Sequence, residues 1–191
     1  VTPARFALGA AAVVAVFGAA AGERRVAAYL VVLGLCAVPV AMARFSRPVQ
    51  WALACGGVVH LIGGVVPGQP VFYETWLIGG VLKYDQAAHF AISAIVAVAL
   101  WEAVGRHVDD ARVRAGIVVL MALGLGALNE VFEFLSALRF ADAYVGDAAN
   151  TAWDLVFNTF GAAAAGLWLA LSSPAPNSRG SRTAPAAGAA R

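Results

Sequence analysis

The chain has 191 residues, 61% of them hydrophobic and only 13% charged, with a mean hydropathy of +0.78; soluble domains carry about a quarter of their residues as charges, so that class is excluded. The net charge of +2 and isoelectric point near 8.8 are what a few helix-end arginines produce, and with no basic stripe interleaved with aromatics nucleic acid is not an expected partner. The remaining class is all-α: a polytopic membrane helix bundle whose first partner is the lipid bilayer.

In chain order, the first apolar run is Phe6–Ala21, close to the ~17–25 residues that cross a bilayer. Arg5 before it and Ala19-Ala20-Ala21 at its end also suit a cleavable signal peptide, but a retained span over about residues 5–21 is the expectation. Val26–Ala43 follows as a second span after the turn Glu23-Arg24-Arg25, and Val49–Val66 as a third carrying His60. Cys36 and Cys55 stand inside these runs without the spacing of zinc or redox sites and read as small core residues. Pro67–Lys83 reads as an outer loop dipping back toward the membrane, with Tyr73 and Trp76 as interfacial anchors and Gly79-Gly80 breaking any long helix.

The fourth span is expected at about Asp85–Gly105, closed by the polar link Arg106–Arg114. The fifth runs over about Ala115–Leu138 and the sixth over about Thr151–Leu171. Residues 1–172 thus form one transmembrane domain. Residues 173–191, rich in Pro, Ser, Gly and Ala, have no apolar face to bury and read as a disordered tail. With six spans, nine of the 13 Lys and Arg residues fall on the side of the two termini and four on the other, so both termini are expected in the cytoplasm.

This orientation puts the polar residues of the later spans in one layer toward the extracytoplasmic side. Asp85 and His89 are spaced i,i+4, Glu130 and Glu133 i,i+3, and Asp154 and Asn158 i,i+4, so each pair projects from one helix face. Ionisable groups inside a membrane are costly and point to function by default. Two like charges on one helix face repel unless protonated, bound to a cation or paired with a base such as His89 or Arg139, which makes Glu130 and Glu133 the strongest candidates. His89, Glu130, Glu133 and Asp154 are therefore the candidate catalytic residues. His89, Glu130, Glu133 and Asp85 are the alternative ligand set for a divalent metal, because helix bundles build metal sites from such groups.

Asp147, Asn158 and His60 are supporting candidates. Asp85, Asp147 and Asp154 also suit helix starts, where caps and the helix dipole favour carboxylates, and His60, about 10 Å below the surface by helix rise, has no polar neighbour on its own helix. Glu102 and Arg106 form an ordinary i,i+4 pair. Gly161 and Gly166 suit close helix packing.

These residues carry a family resemblance. Y-D-x-x-x-H-F at Tyr84–Phe90, E-x-x-E-F at Glu130–Phe134 and G-D followed by Trp153-Asp154 resemble the YjdF-like family of multi-pass bacterial inner-membrane proteins over roughly Tyr84–Gly166. Asn150 stands where that pattern has an Asp, which sets that position apart. Asp154, Asn158 and Gly161 are similar in spacing to the D-x-x-x-N-x-x-G of VanZ-like proteins, which would imply a link to glycopeptide-antibiotic tolerance, but Glu133 stands where those sequences tend to have Gln. The expected function is a membrane-embedded enzyme acting on a lipid or envelope precursor. The alternatives are a proton- or cation-coupled transporter or binding protein, for which a homo-oligomer could supply the pathway, and a structural scaffold.

Overall fold

Prolines, glycine pairs and capping aspartates divide the apolar runs, and between these breaks the described residues are mostly helical. The computed structural model describes residues 2–20, 22, 45–66, 71–139 and 145–173. Five helices among them are long and apolar enough to cross a membrane: α1 (Pro3–Ala20), α2 (Arg47–Val65), α3 (Tyr84–Val104), α4 (Ala111–Arg139) and α5 (Ala148–Ser172). The expected span over 26–43 and almost all of the expected tail lie outside the described residues.

The helix starts show why the boundaries fall where they do. Pro48 opens the first turn of α2, where its missing N–H costs nothing. At α3, Gln86 Oε1 accepts from Lys83 N at 3.0 Å. Asp110 Oδ1 accepts from Arg112 N at 2.8 Å and Val113 N at 2.9 Å, so α4 begins at Ala111, inside what the sequence suggests is a polar link. These two amides hold the Asp110 carboxyl below its usual range. Asp147 caps α5 in the same way, accepting from Asn150 N at 2.9 Å. Both helices therefore start three or four residues before the apolar pattern alone predicts. At 29 residues and 1.5 Å per residue, α4 is about 43 Å long, longer than the ~30 Å hydrocarbon core.

The stretch between α2 and α3 is a short built structure. A 3-10 turn at Phe72–Glu74 leads into an antiparallel pair, β1 (Trp76–Ile78) and β2 (Leu82–Lys83). Val81 N bonds Ile78 O at 2.9 Å, closing a turn in which Gly80 takes φ +68°, a conformation glycine adopts without steric cost. Lys83 Nζ reaches Glu74 Oε2 at 2.5 Å, and Tyr84 OH donates to Val59 O at 2.8 Å, tying the start of α3 to α2.

Helices α3, α4 and α5 form the core. Its buried centre is Ala97, Val118, Ala122, Ala162 and Ala165, small side chains that let helices approach closely where lipid supplies no hydrophobic drive. The closest approach is at Gly161, where a side-chain Cβ would collide with the Phe90 carbonyl. Outward from this core, Leu120, Leu128, Phe132, Phe134, Trp168 and Leu171 are exposed, the inverse of a soluble protein and what a lipid-facing surface requires. Cys55 is also exposed. The reading of it as a core residue fails because in a bundle that is apolar all round, an apolar run does not say which face is inside.

Candidate functional site

Helices α3 and α5 run side by side in the same direction, and their polar residues meet in rungs. Asn150 Nδ2 donates to Asp85 Oδ2 at 3.1 Å. One turn further in, His89 Nε2 faces Asp154 Oδ1 at 3.8 Å. A turn beyond that, Ser93 Oγ donates to Asn158 Oδ1 at 2.6 Å. Asp85, His89 and Ser93 succeed one another at i,i+4, as do Asn150, Asp154 and Asn158, so two helix faces of period four zip together. The contact of Gly161 on Phe90 allows the backbones to come this near.

Antiparallel α4 supplies the third side. Glu130 Oε1 is 3.8 Å from His89 Nδ1, and Asn129 Nδ2 donates to Glu133 Oε1 at 2.7 Å. Gly126 leaves room for the Asn158 amide, which a Cβ there would meet at 2.8 Å. His89 thus has acidic groups toward both ring nitrogens. Its Nε2 also lies 3.4 Å from Asp85 Oδ1, and its Nδ1 lies 3.3 Å from Asn158 Oδ1.

Burial makes this arrangement costly. Asp154 is 1% exposed, Asn158 3%, and Asp85 and Glu130 8% each. Among the described residues, Glu130 Oε1, Asp154 Oδ1 and Asn158 Nδ2 are buried without a hydrogen-bond partner, although buried polar groups are nearly always satisfied. Two sets offer ligand atoms within 4.8 Å of one another: Asp85, His89 and Asp154, and His89, Glu130 and Glu133. Chemically, the layer can hold protons among its carboxylates and imidazole or bind a cation.

Asp85, His89, Glu130, Asp154 and Asn158 come together, with Glu133 within 4.8 Å of His89 and Glu130. Asp147 does not join them directly: its carboxylate caps α5. His60 is engaged elsewhere, its Nδ1 2.7 Å from Tyr73 OH. Glu102 pairs with Arg106 at 4.0 Å, far along α3 from the polar layer. Ser93, Asn129 and Asn150 belong to the network and were not singled out from the sequence, Asn150 having been set apart as a departure from a pattern. Each lies four residues from a candidate: extending the two i,i+4 pairs by a turn reaches Ser93 and Asn150, and stepping back one turn from Glu133 reaches Asn129.

Long apolar helices with small residues between them and lipid-compatible side chains outside define a multi-pass integral membrane protein. The chain belongs to the family described as "Predicted membrane protein (DUF2238)", whose family model matches residues 3–174. No curated protein and no solved structure gives a significant match.

Proposed function

We propose that this protein is a membrane-embedded enzyme that acts on a lipid or envelope precursor by hydrolysis or group transfer. Both termini are cytoplasmic in this reading and the polar layer faces the extracytoplasmic side, with Glu130 as the proton-exchanging group beside His89. The observation that carries it is the buried Glu130 Oε1, without a hydrogen-bond partner among the described residues and next to an imidazole. It lies on a helix whose neighbouring Val131, Phe132 and Phe134 are exposed. A substrate carried in the bilayer reaches this buried group by parting the packing over it from that side, since a general acid or base must lie within hydrogen-bond reach of the atom it serves. The resemblance of Tyr84–Gly166 to YjdF-like sequences fits a bacterial inner membrane.

The test is a deletion strain complemented with wild type, His89→Ala or Glu130→Gln, with lipid and envelope-precursor pools read by mass spectrometry and membrane levels checked by immunoblot. One precursor should accumulate in the deletion and in both variants and return to normal with wild type. Identical pools in all four strains would sink the reading. Orientation has its own test: with Cys36 and Cys55 changed to Ala, Gly79→Cys should react with a membrane-impermeant maleimide in intact cells. Protection until the cells are lysed would reverse the topology.

A further inference from the structure

The side of His89 away from Glu130 holds an arrangement that acid–base chemistry does not require. Asn158 Oδ1, as the structure orients it, is an acceptor 3.3 Å from His89 Nδ1, so the ring proton belongs on Nδ1 and the lone pair on Nε2. That lone pair faces two carboxylate oxygens, Asp85 Oδ1 at 3.4 Å and Asp154 Oδ1 at 3.8 Å. The other oxygen of each carboxylate, Oδ2, accepts from the same Asn150 amide, which turns both Oδ1 atoms toward the ring. In that tautomer three electron-rich atoms converge without a donor, and one of them, Asp154 Oδ1, is fully buried and without a hydrogen-bond partner among the described residues.

We propose that Asp85 Oδ1, Asp154 Oδ1 and His89 Nε2 bind a divalent first-row cation, Zn²⁺ or Mn²⁺, with Asn150 and Asn158 as positioning residues. Ligands bound at 2.0–2.2 Å in tetrahedral array lie about 3.3–3.6 Å apart, close to the 3.4 and 3.8 Å from Nε2 to the two oxygens, and the three residues offer ligand atoms within 4.8 Å of one another. One nitrogen and two carboxylate oxygens leave at least one position open, as catalytic metal sites do. Amides that orient carboxylates and fix a histidine tautomer are the usual outer shell of such a centre. A dication also balances two buried carboxylates beside a neutral imidazole. Glu130 and Glu133, on the Nδ1 side, are not ligands. The inference deepens the enzyme reading and rests on it only for the role of the cation.

The test uses the full chain purified in detergent, loaded with Zn²⁺ or Mn²⁺, desalted and assayed by elemental mass spectrometry and chelator competition. Wild type should retain about one equivalent, released on acidification as the ligands protonate. Asp154→Asn, nearly isosteric, should retain none while keeping its helical circular dichroism. Asn150→Ala should raise Kd about 10–100-fold, Glu133→Gln should leave Kd unchanged, and X-ray absorption on the zinc form should show a single imidazole with oxygen neighbours. A wild type without stoichiometric metal would overturn the proposal, making His89 an imidazolium that shares protons with its carboxylates. Metal kept by Asp154→Asn but lost by Glu133→Gln would overturn it as well. Because binding is read without substrate, metal-free protein with precursor accumulation in His89→Ala removes the cation alone, and bound metal with unchanged precursor pools removes the enzyme alone.

Discussion

The α3–α4–α5 interface has two halves, an outer one at the starts of α3 and α5 and an inner one further along them, built on the same helices and packed in opposite ways. Inward, Ala97, Val118, Ala122, Ala162 and Ala165 close the interface with apolar atoms alone. Outward, the same helix faces carry Asp85, His89, Glu130, Asp154 and Asn158, and three buried polar atoms are left without partners among the described residues. The inner half is built for stability. The outer half spends some of that stability on a set of groups that binding, rather than folding, would satisfy, which is how functional sites commonly depart from good packing.

The largest expected effect is at the boundary between the halves. Gly161→Val drives a branched side chain into the Phe90 carbonyl and should cost about 3 kcal/mol, the upper part of the overpacking range, read as a collapse of thermal stability in detergent and loss of the site together. A variant that melts like wild type would break the comparison at its root. Ala162→Leu tests the inner half alone and should destabilise by about 1–3 kcal/mol while metal affinity per folded chain stays unchanged. Next, Asp147→Ala removes the cap that accepts from Asn150 N and should cost about 1 kcal/mol, with a weaker metal site because Asn150 belongs to the same turn.

Asp154→Asn sharpens the contrast by its sign. In metal-free protein it relieves repulsion between buried carboxylates, so the melting temperature should stay level or rise, since buried charge is weak evidence for stability. A fall as large as that of Ala162→Leu would mean that the outer half is held together by its charges. The smallest effect lies outside the bilayer. The folded Asp110 carboxyl titrates below its usual range because two amides donate to it. Its stabilisation of α4 is therefore complete above the ordinary aspartate value of about 3.9 and fades as pH falls through the lower folded value. Hydrogen exchange at Arg112 and Val113 should lose protection over that acid window, and Asp110→Asn should abolish the pH dependence.

Much of this was legible in the sequence. The apolar runs locate helices α2 to α5 to within a few residues, because lipid forces every backbone group into an internal bond and leaves helices as the economical solution. The starts of α4 and α5 were missed because Asp110 and Asp147 act through backbone amides, which an apolar pattern does not register. Glu130, Asp154 and His89 stood out because charge is conspicuous in an apolar helix. Asn150 and Ser93 did not, since small polar residues are common in membrane helices, and only the pairing of α3 with α5 reveals that they bond carboxylate and amide across it. The hairpin at Trp76–Lys83 rests on a two-glycine turn that signalled a break without indicating what followed. His60 looked isolated because its partner Tyr73 lies on a separate segment.

The rungs between α3 and α5 join residues about a third of the chain apart, Asp85 to Asn150 and Ser93 to Asn158. During synthesis α3 and α4 therefore come first: Asp85 and His89 face each other within α3, but the Asn150 and Asn158 amides that bond this face arrive only with α5. A chain stopped before Asp147 would lack the Asn150, Asp154 and Asn158 side of the layer and leave Ser93 Oγ without its bond to Asn158. The polar layer is thus also a record of completed biogenesis.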